Sequence, residues 1–293
     1  MSQRRFLPST LLVSVAGIWG IAFVSMKTTL LRLDVYSFLA WRFFLATSVL
    51  ILIRPKVLKL FNFQFLKKGS LVGVFLGCGY IFQSIGLTKT TVGKTGFITG
   101  LYVVFTPLVA AIFLKKRISR WDWFSTALAT FGLGLLSLKG FGMGLGEFLV
   151  LVSAMLFALH ILALSQWASD MDVYALTTVQ LGTCALLTFI ATIPNGFKAP
   201  PDTGVWGAII FTAIFATALA FIIQTWTQSF MPATTVAVIL TLESVFAAGF
   251  GLAFLEERAT FRIITGGILV ILAMYIIIFA DGQKGQLEVN YHD

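Results

Sequence analysis

Charge is what this sequence has least of: 11% of its 293 residues are Asp, Glu, Lys or Arg, where soluble domains carry roughly a quarter. With 58% hydrophobic residues and 29 phenylalanines, an ordinary water-soluble core could not hide the apolar side chains. Histidine and cysteine are scarce too, at two each. Cys78 and Cys184 stand in apolar runs with no second thiol or imidazole at ligand spacing, so no disulfide framework or metal site is expected. No HExxH or GxSxG stretch occurs, and the apolar runs hold no pair of catalytic acids, which argues against an intramembrane enzyme. We expect no cofactor.

Long apolar runs are what the sequence does have. A hydrocarbon core of about 30 Å needs about 20 apolar residues in a helix, and ten runs qualify: 9–26, 36–53, 70–88, 95–114, 122–138, 147–167, 173–193, 204–229, 233–254 and 262–280. The expected class is an all-α integral membrane protein of ten transmembrane helices, whose partner over most of its surface is the lipid bilayer. Arg4 and Arg5 before the first run give it the look of a signal peptide, but the run is nearer a full span and we expect it to be retained. The largest connections, Arg54 to Gly69 and Pro194 to Thr203, hold no soluble domain, so any chemistry must lie within the membrane.

The net charge of +9 could suggest a nucleic-acid partner, yet the basic residues cluster briefly between apolar runs, as in cytoplasmic loops. We therefore expect no nucleic acid. With both termini cytoplasmic, the inner loops of the first half hold Arg4, Arg5, Arg54, Lys56, Lys59, Lys67, Lys68, Lys115, Lys116, Arg117 and Arg120. The outer loops there hold the sparser Lys27, Arg32, Lys89, Lys94 and Lys139. Arg258 and Arg262 form a weaker counter-bias, and a multi-pass protein of the cell (inner or plasma) membrane is expected.

The chain also repeats itself. Asp34-Val35-Tyr36 recurs as Asp172-Val173-Tyr174 at a spacing of 138, and Gln83, Val104, Phe105 and Arg117 recur as Gln224, Val245, Phe246 and Arg258 at 141. Residues 1–141 and 142–293 thus read as two five-helix units, the second with a short cytoplasmic tail. An odd number of spans inverts the second unit relative to the first, the plan of secondary transporters that bind solute near the midplane and alternate access by rocking.

Three segments carry a further likeness: GFITGLYVVFTP (Gly96 to Pro107), GEFLVLVSAMLFALHI (Gly146 to Ile161) and LESVFAAGFGLAFLEER (Leu242 to Arg258). With them the chain resembles the EamA family of the drug/metabolite transporter superfamily along nearly its whole length. The resemblance implies a permease or exporter of small organic metabolites, amino acids among them. The alternative is a multidrug efflux protein for hydrophobic cations. Two departures stand out: Ser244 replaces the proline usual after the Glu, which puts a helix kink in doubt, and Lys115-Lys116-Arg117 replaces the acidic-basic pair in the first half.

Polar groups in hydrocarbon usually face an interior cavity, which singles out a few candidate substrate-binding residues. Glu243 lies ten residues into the ninth run, about 15 Å along a helix, where it could bind an ammonium, couple transport to protons, or bond structurally across helices. Arg42 could clamp a carboxylate, snorkel to headgroups or pair structurally. His160 could relay protons or simply bond a neighbouring helix. Gln83 and Gln224, equivalent in the two units, could orient a small-molecule substrate or join helices. Trp19, Trp41, Tyr80, Tyr102 and Trp226 could form an aromatic wall, whereas Trp121 and Trp123 read as interfacial residues. Gly73 and Gly77, like Gly96 and Gly100, have a spacing that permits close helix approach, and Gly132 and Gly134 offer a flexible point in the fifth run. Nothing in the chain sets an oligomeric state.

Overall fold

A computed structural model describes residues 3–137, 143–254 and 260–290, and every long regular element among them is helical. In chain order these are α1 (Gln3–Thr29), α2 (Val35–Ile53), α3 (Phe63–Lys89), α4 (Val92–Gly100), α5 (Tyr102–Ile112), α6 (Arg120–Ser137), α7 (Leu145–Trp167), α8 (Val173–Thr192), α9 (Thr203–Ala213), α10 (Ala220–Gln228), α11 (Ala233–Leu240), α12 (Leu242–Phe254) and α13 (Phe261–Asn290). Among the described residues, nine helical stretches are long and apolar enough to cross a membrane. The expected fifth span, α6, is a helix of 18 residues but is not among them; Arg120 and Asp122 in its first turn leave too short an apolar stretch. Lys139 and the closing pair ending at Arg258 lie outside the described residues.

The recurring DVY triplet has a local cause. Asp34 and Asp172 cap α2 and α8, each accepting a hydrogen bond from the backbone N–H three residues on, at 3.0 and 2.8 Å. Asn62 caps α3 the same way from Phe65. The cap moves the start of α3 seven residues ahead of the expected run, so the Arg54–Gly69 connection is largely a 3₁₀ turn at Pro55–Leu60 and two turns of helix.

Two of the long spans are broken. α4 gives way to α5 at Leu101, and α11 to α12 at Thr241, each through a tight i→i+3 turn: Val104 N–H bonds Leu101 O at 2.9 Å and Ser244 N–H bonds Thr241 O at 3.1 Å. Under the 141-residue spacing the two breaks are one residue apart. Where the absent proline put a kink in doubt, the helical pattern is interrupted at Thr241, and the Ser244 hydroxyl donates to Gly96 O at 3.1 Å, joining α12 to α4. A third irregularity, a π-helical turn at Ile214–Leu219, interrupts the path from α9 to α10.

Close packing needs glycine at two of these crossings. A Cβ on Gly20 would lie 2.7 Å from Phe246 Cβ and 2.8 Å from Ala247 N, so only glycine lets α1 approach α12 this closely. Gly73 plays the same part between α3 and α8, where a Cβ would meet Gln180 O at 2.6 Å. Gly132 is also a packing position rather than a flexible point: α6 runs through it, and a Cβ there would meet Gly266 O on α13 at 2.8 Å.

Candidate functional site

The broken helices and their neighbours line a cavity of about 50 Å³, room for a few water molecules. α1 contributes Trp19, α2 Arg42, α3 Tyr80 and Gln83, α5 Tyr102, α7 His160, α10 Gln224, and α12 Glu243. All were singled out in the sequence, and the fold brings them to one place. Trp226 is a correction: its ring is 36% exposed on the outer side of α10, packed 4.9 Å from Phe230. Trp41 also lies away from the cavity, its ring tilted against Phe197 and edge-on to Trp206, its Nε1 donating to Lys198 O.

Arg42 is 1% exposed, which removes snorkelling as its role. Its Nε donates to Thr217 Oγ1 at 2.6 Å and Nη2 to Ala216 O at 3.2 Å, with longer contacts to Met26 Sδ and the Tyr80 hydroxyl, both 3.4 Å. The guanidinium also lies over the Tyr80 ring, 4.7 Å from its centroid. These partners exist because of the π-helical turn, which leaves the Ala216 carbonyl open to side chains; Trp19 Nε1 donates to it as well, at 2.9 Å. None of the partners is an anion, and among the described residues no carboxylate forms an ion pair with Arg42.

Glu243 is 5% exposed and has no side-chain hydrogen bond or ion pair among the described residues. It lies within electrostatic reach of Tyr80 and Tyr102. The cavity thus holds one buried base and one buried acid, neither neutralised by the other.

The polar chains behind the wall fix how the remaining side chains face. Thr177 Oγ1 lies 2.8 Å from Val173 O and 3.0 Å from Thr225 Oγ1. Thr225 accepts from Gln180 Nε2 at 3.1 Å, leaving Gln180 Oε1 to face His160 Nε2 at 2.9 Å. This contact ties His160 on α7 to α8. Gln228 Nε2 donates to Ile161 O and Ser165 Oγ, both at 2.8 Å; its Oε1 accepts from Gln224 Nε2 at 2.9 Å. Gln83 Nε2 donates to Thr99 Oγ1 at 3.1 Å.

The sequence reading missed Phe157 and Phe221, which complete the wall: Tyr80 lies 5.3 Å from Phe157 and 6.2 Å from Phe221, and Trp19 lies 5.5 Å from Phe221. The repeat held the signal. At a spacing of 141, Tyr80 corresponds to Phe221, Gln83 to Gln224 and Tyr102 to Glu243; at 138, Trp19 corresponds to Phe157 and Ala22 to His160. Every one of these residues lines the cavity. Thr217, which holds Arg42, had no such signal, because its equivalent is Leu76.

The model of the EamA-like transporter family matches residues 7–138 and again 144–279. A protein of Archaeoglobus fulgidus described as an uncharacterized transporter is 33% identical over 94% of this chain and 86% of its own. The uncharacterized transporter YoaV of Bacillus subtilis is 23% identical over 93% of this chain and 97% of its own. A crystal structure shares the fold with a TM-score of 0.75 at 15% identity, covering 94% of this chain and 96% of that one.

Proposed function

We propose that this chain, which belongs to the EamA-like transporter family, is a secondary transporter that moves small zwitterionic metabolites such as amino acids across the cell membrane by alternating access. Membership makes it a multi-pass membrane transporter and not an enzyme. The observation that carries the cargo is the pair of buried groups, Arg42 and Glu243, in one cavity without counter-ions among the described residues. An unpaired charge buried in the protein costs several kcal/mol, and a ligand bearing both a carboxylate and an ammonium would offset that cost at each end. In the empty carrier a proton on Glu243 would serve the same purpose, which links transport to protons.

Several observations support two inverted five-helix units. The same family model fits both halves, Asp34 and Asp172 cap equivalent helices, and the breaks at Leu101 and Thr241 correspond. Residues at the repeat spacings also meet around the cavity, where rocking of one half against the other would expose it alternately. Two contacts support a tenth span through α6. Ile118, just before it, packs with Val109 and Ala233 at one end of the bundle. Glu147, in the first turn of α7, bonds Lys94 and Thr90 at the other. These contacts support α6 as a span of the same thickness as its neighbours, which would put both termini on the side of Arg54 and Lys115, the cytoplasmic side by the charge rule.

An efflux carrier for hydrophobic cations draws support from the wall of Trp19, Tyr80, Phe157 and Phe221, but such a cargo would meet the buried Arg42 guanidinium. The panel that decides between them is the melting temperature of the purified protein with amino acids, nucleosides and lipophilic cations. A ligand at 100 times its Kd stabilises by about 2.7 kcal/mol. Stabilisation by zwitterions is expected; stabilisation by lipophilic cations alone would overturn the assignment.

A further inference from the structure

Part of the cavity wall has a chemistry of its own. Gln228 Nε2 faces Ile161 O, a carbonyl that can only accept, so the Gln228 amide cannot turn over. Its Oε1 then requires Nε2 from Gln224, and this leaves Gln224 Oε1 as a fixed acceptor. Among the described residues that oxygen is buried without a partner, and so is the Tyr102 hydroxyl. Their residues are 1% and 4% exposed, and both line the cavity that also holds the unpartnered Glu243. Buried polar atoms nearly always find partners. Here a carboxylate, an amide oxygen and a phenolic oxygen await a donor.

We propose that Glu243, Gln224 Oε1 and Tyr102 Oη form a subsite for an ammonium group that still carries N–H bonds, so that the protein binds primary ammonium ligands and discriminates against quaternary ones. A primary ammonium has three donors for the three oxygens. A trimethylammonium has none, and would leave Gln224 Oε1 and Tyr102 Oη buried and unsatisfied beneath its methyl groups. A site built to hydrogen-bond a ligand rejects the analogue that lacks the donor far more strongly than a merely apolar pocket does. Tyr102 is the specificity residue most open to test: with no hydrogen bond among the described residues, its hydroxyl can be removed without breaking one of theirs.

This inference rests on the cavity being the solute site. It is tested by calorimetric titration of the full-length protein with 2-phenylethylammonium, its N,N,N-trimethyl analogue and 3-phenylpropionate. The primary ammonium is expected to bind at least about tenfold more tightly than the trimethyl compound, as befits hydrogen bonds to a charged group. Tyr102→Phe should erase most of that preference, leave the trimethyl affinity unchanged, and hold or raise the melting temperature without ligand. Should Tyr102→Phe fold poorly, Gln224→Met serves with the same readout. Equal binding of the two cations, or an equal loss for both in the variant, would overturn the subsite. Binding of 3-phenylpropionate with neither cation bound would also overturn it while leaving the cavity and Arg42 as a solute site; no binding by any probe would count against both readings.

Discussion

Gly20→Ala tests the crossing that holds Glu243 in the cavity, and Gly17→Ala on the same helix is its control. At Gly20 a Cβ would sit 2.7 Å from Phe246 Cβ, 2.8 Å from Ala247 N and 3.0 Å from Glu243 O, and two of these three atoms belong to the backbone. Carbon contacts are optimal near 3.5–4.0 Å, so α1 and α12 must part by roughly 1 Å. At Gly17 the nearest atoms are those of the Phe246 ring at 3.8 Å, an ordinary contact. Both substitutions gain the same helix propensity, up to about 1 kcal/mol, so their difference isolates the clash. Overpacking of this kind costs about 1–3 kcal/mol, and Gly20→Ala should be less stable than Gly17→Ala by that amount. The assay is equilibrium unfolding in mixed micelles, with solute affinity measured alongside, since parting the helices also displaces Glu243 from Trp19. Equal stability and affinity in the two variants would refute the close crossing.

Thr217→Val keeps the side-chain shape but removes the acceptor of the Arg42 Nε bond, and losing a hydrogen bond to a buried charge should cost about 1.5–3 kcal/mol; Thr217→Ser should restore both the melting temperature and zwitterion affinity. Gln228→Leu frees the Gln224 amide to turn, so it should weaken primary-ammonium binding more than trimethylammonium binding, a ratio that titration reads directly. Cysteines at Arg117 and Met143 flank α6 and should label with impermeant maleimide from opposite sides of sealed vesicles; labelling from the same side would remove the tenth span.

Length and apolarity made most spans legible in the sequence, since a helix surrounded by lipid can only be a long apolar run. The break at Leu101 was not legible, because it rests on an i→i+3 turn inside an apolar stretch; the one at Thr241 lies two residues before Glu243, where the missing proline had put a kink in doubt. The cavity was half legible. Arg42, His160 and Glu243 stood out because a polar group at that depth needs a reason, and the repeat spacing pointed to the glutamines. Phe157 and Phe221 were hidden among 29 phenylalanines, though the repeat could have raised them from Trp19 and Tyr80. Trp226 was misplaced because an aromatic in a membrane helix packs outward as readily as inward, and which way α10 faces is set by Gln224 and Gln228 binding towards α7. The π-helical turn that presents Ala216 O to Arg42 leaves no mark in composition at all.

The central claim, that this cavity carries solute with the help of one buried acid, is tested most directly by zwitterion counterflow in proteoliposomes with Glu243→Gln. The variant keeps the size and hydrogen bonding of the side chain but cannot ionise. The account predicts a folded protein that has lost counterflow, or retains a reduced rate that no longer varies between about pH 5 and 8, the span in which a desolvated carboxyl can titrate. A wild-type rate with a wild-type pH response would contradict it and leave Glu243 a structural residue.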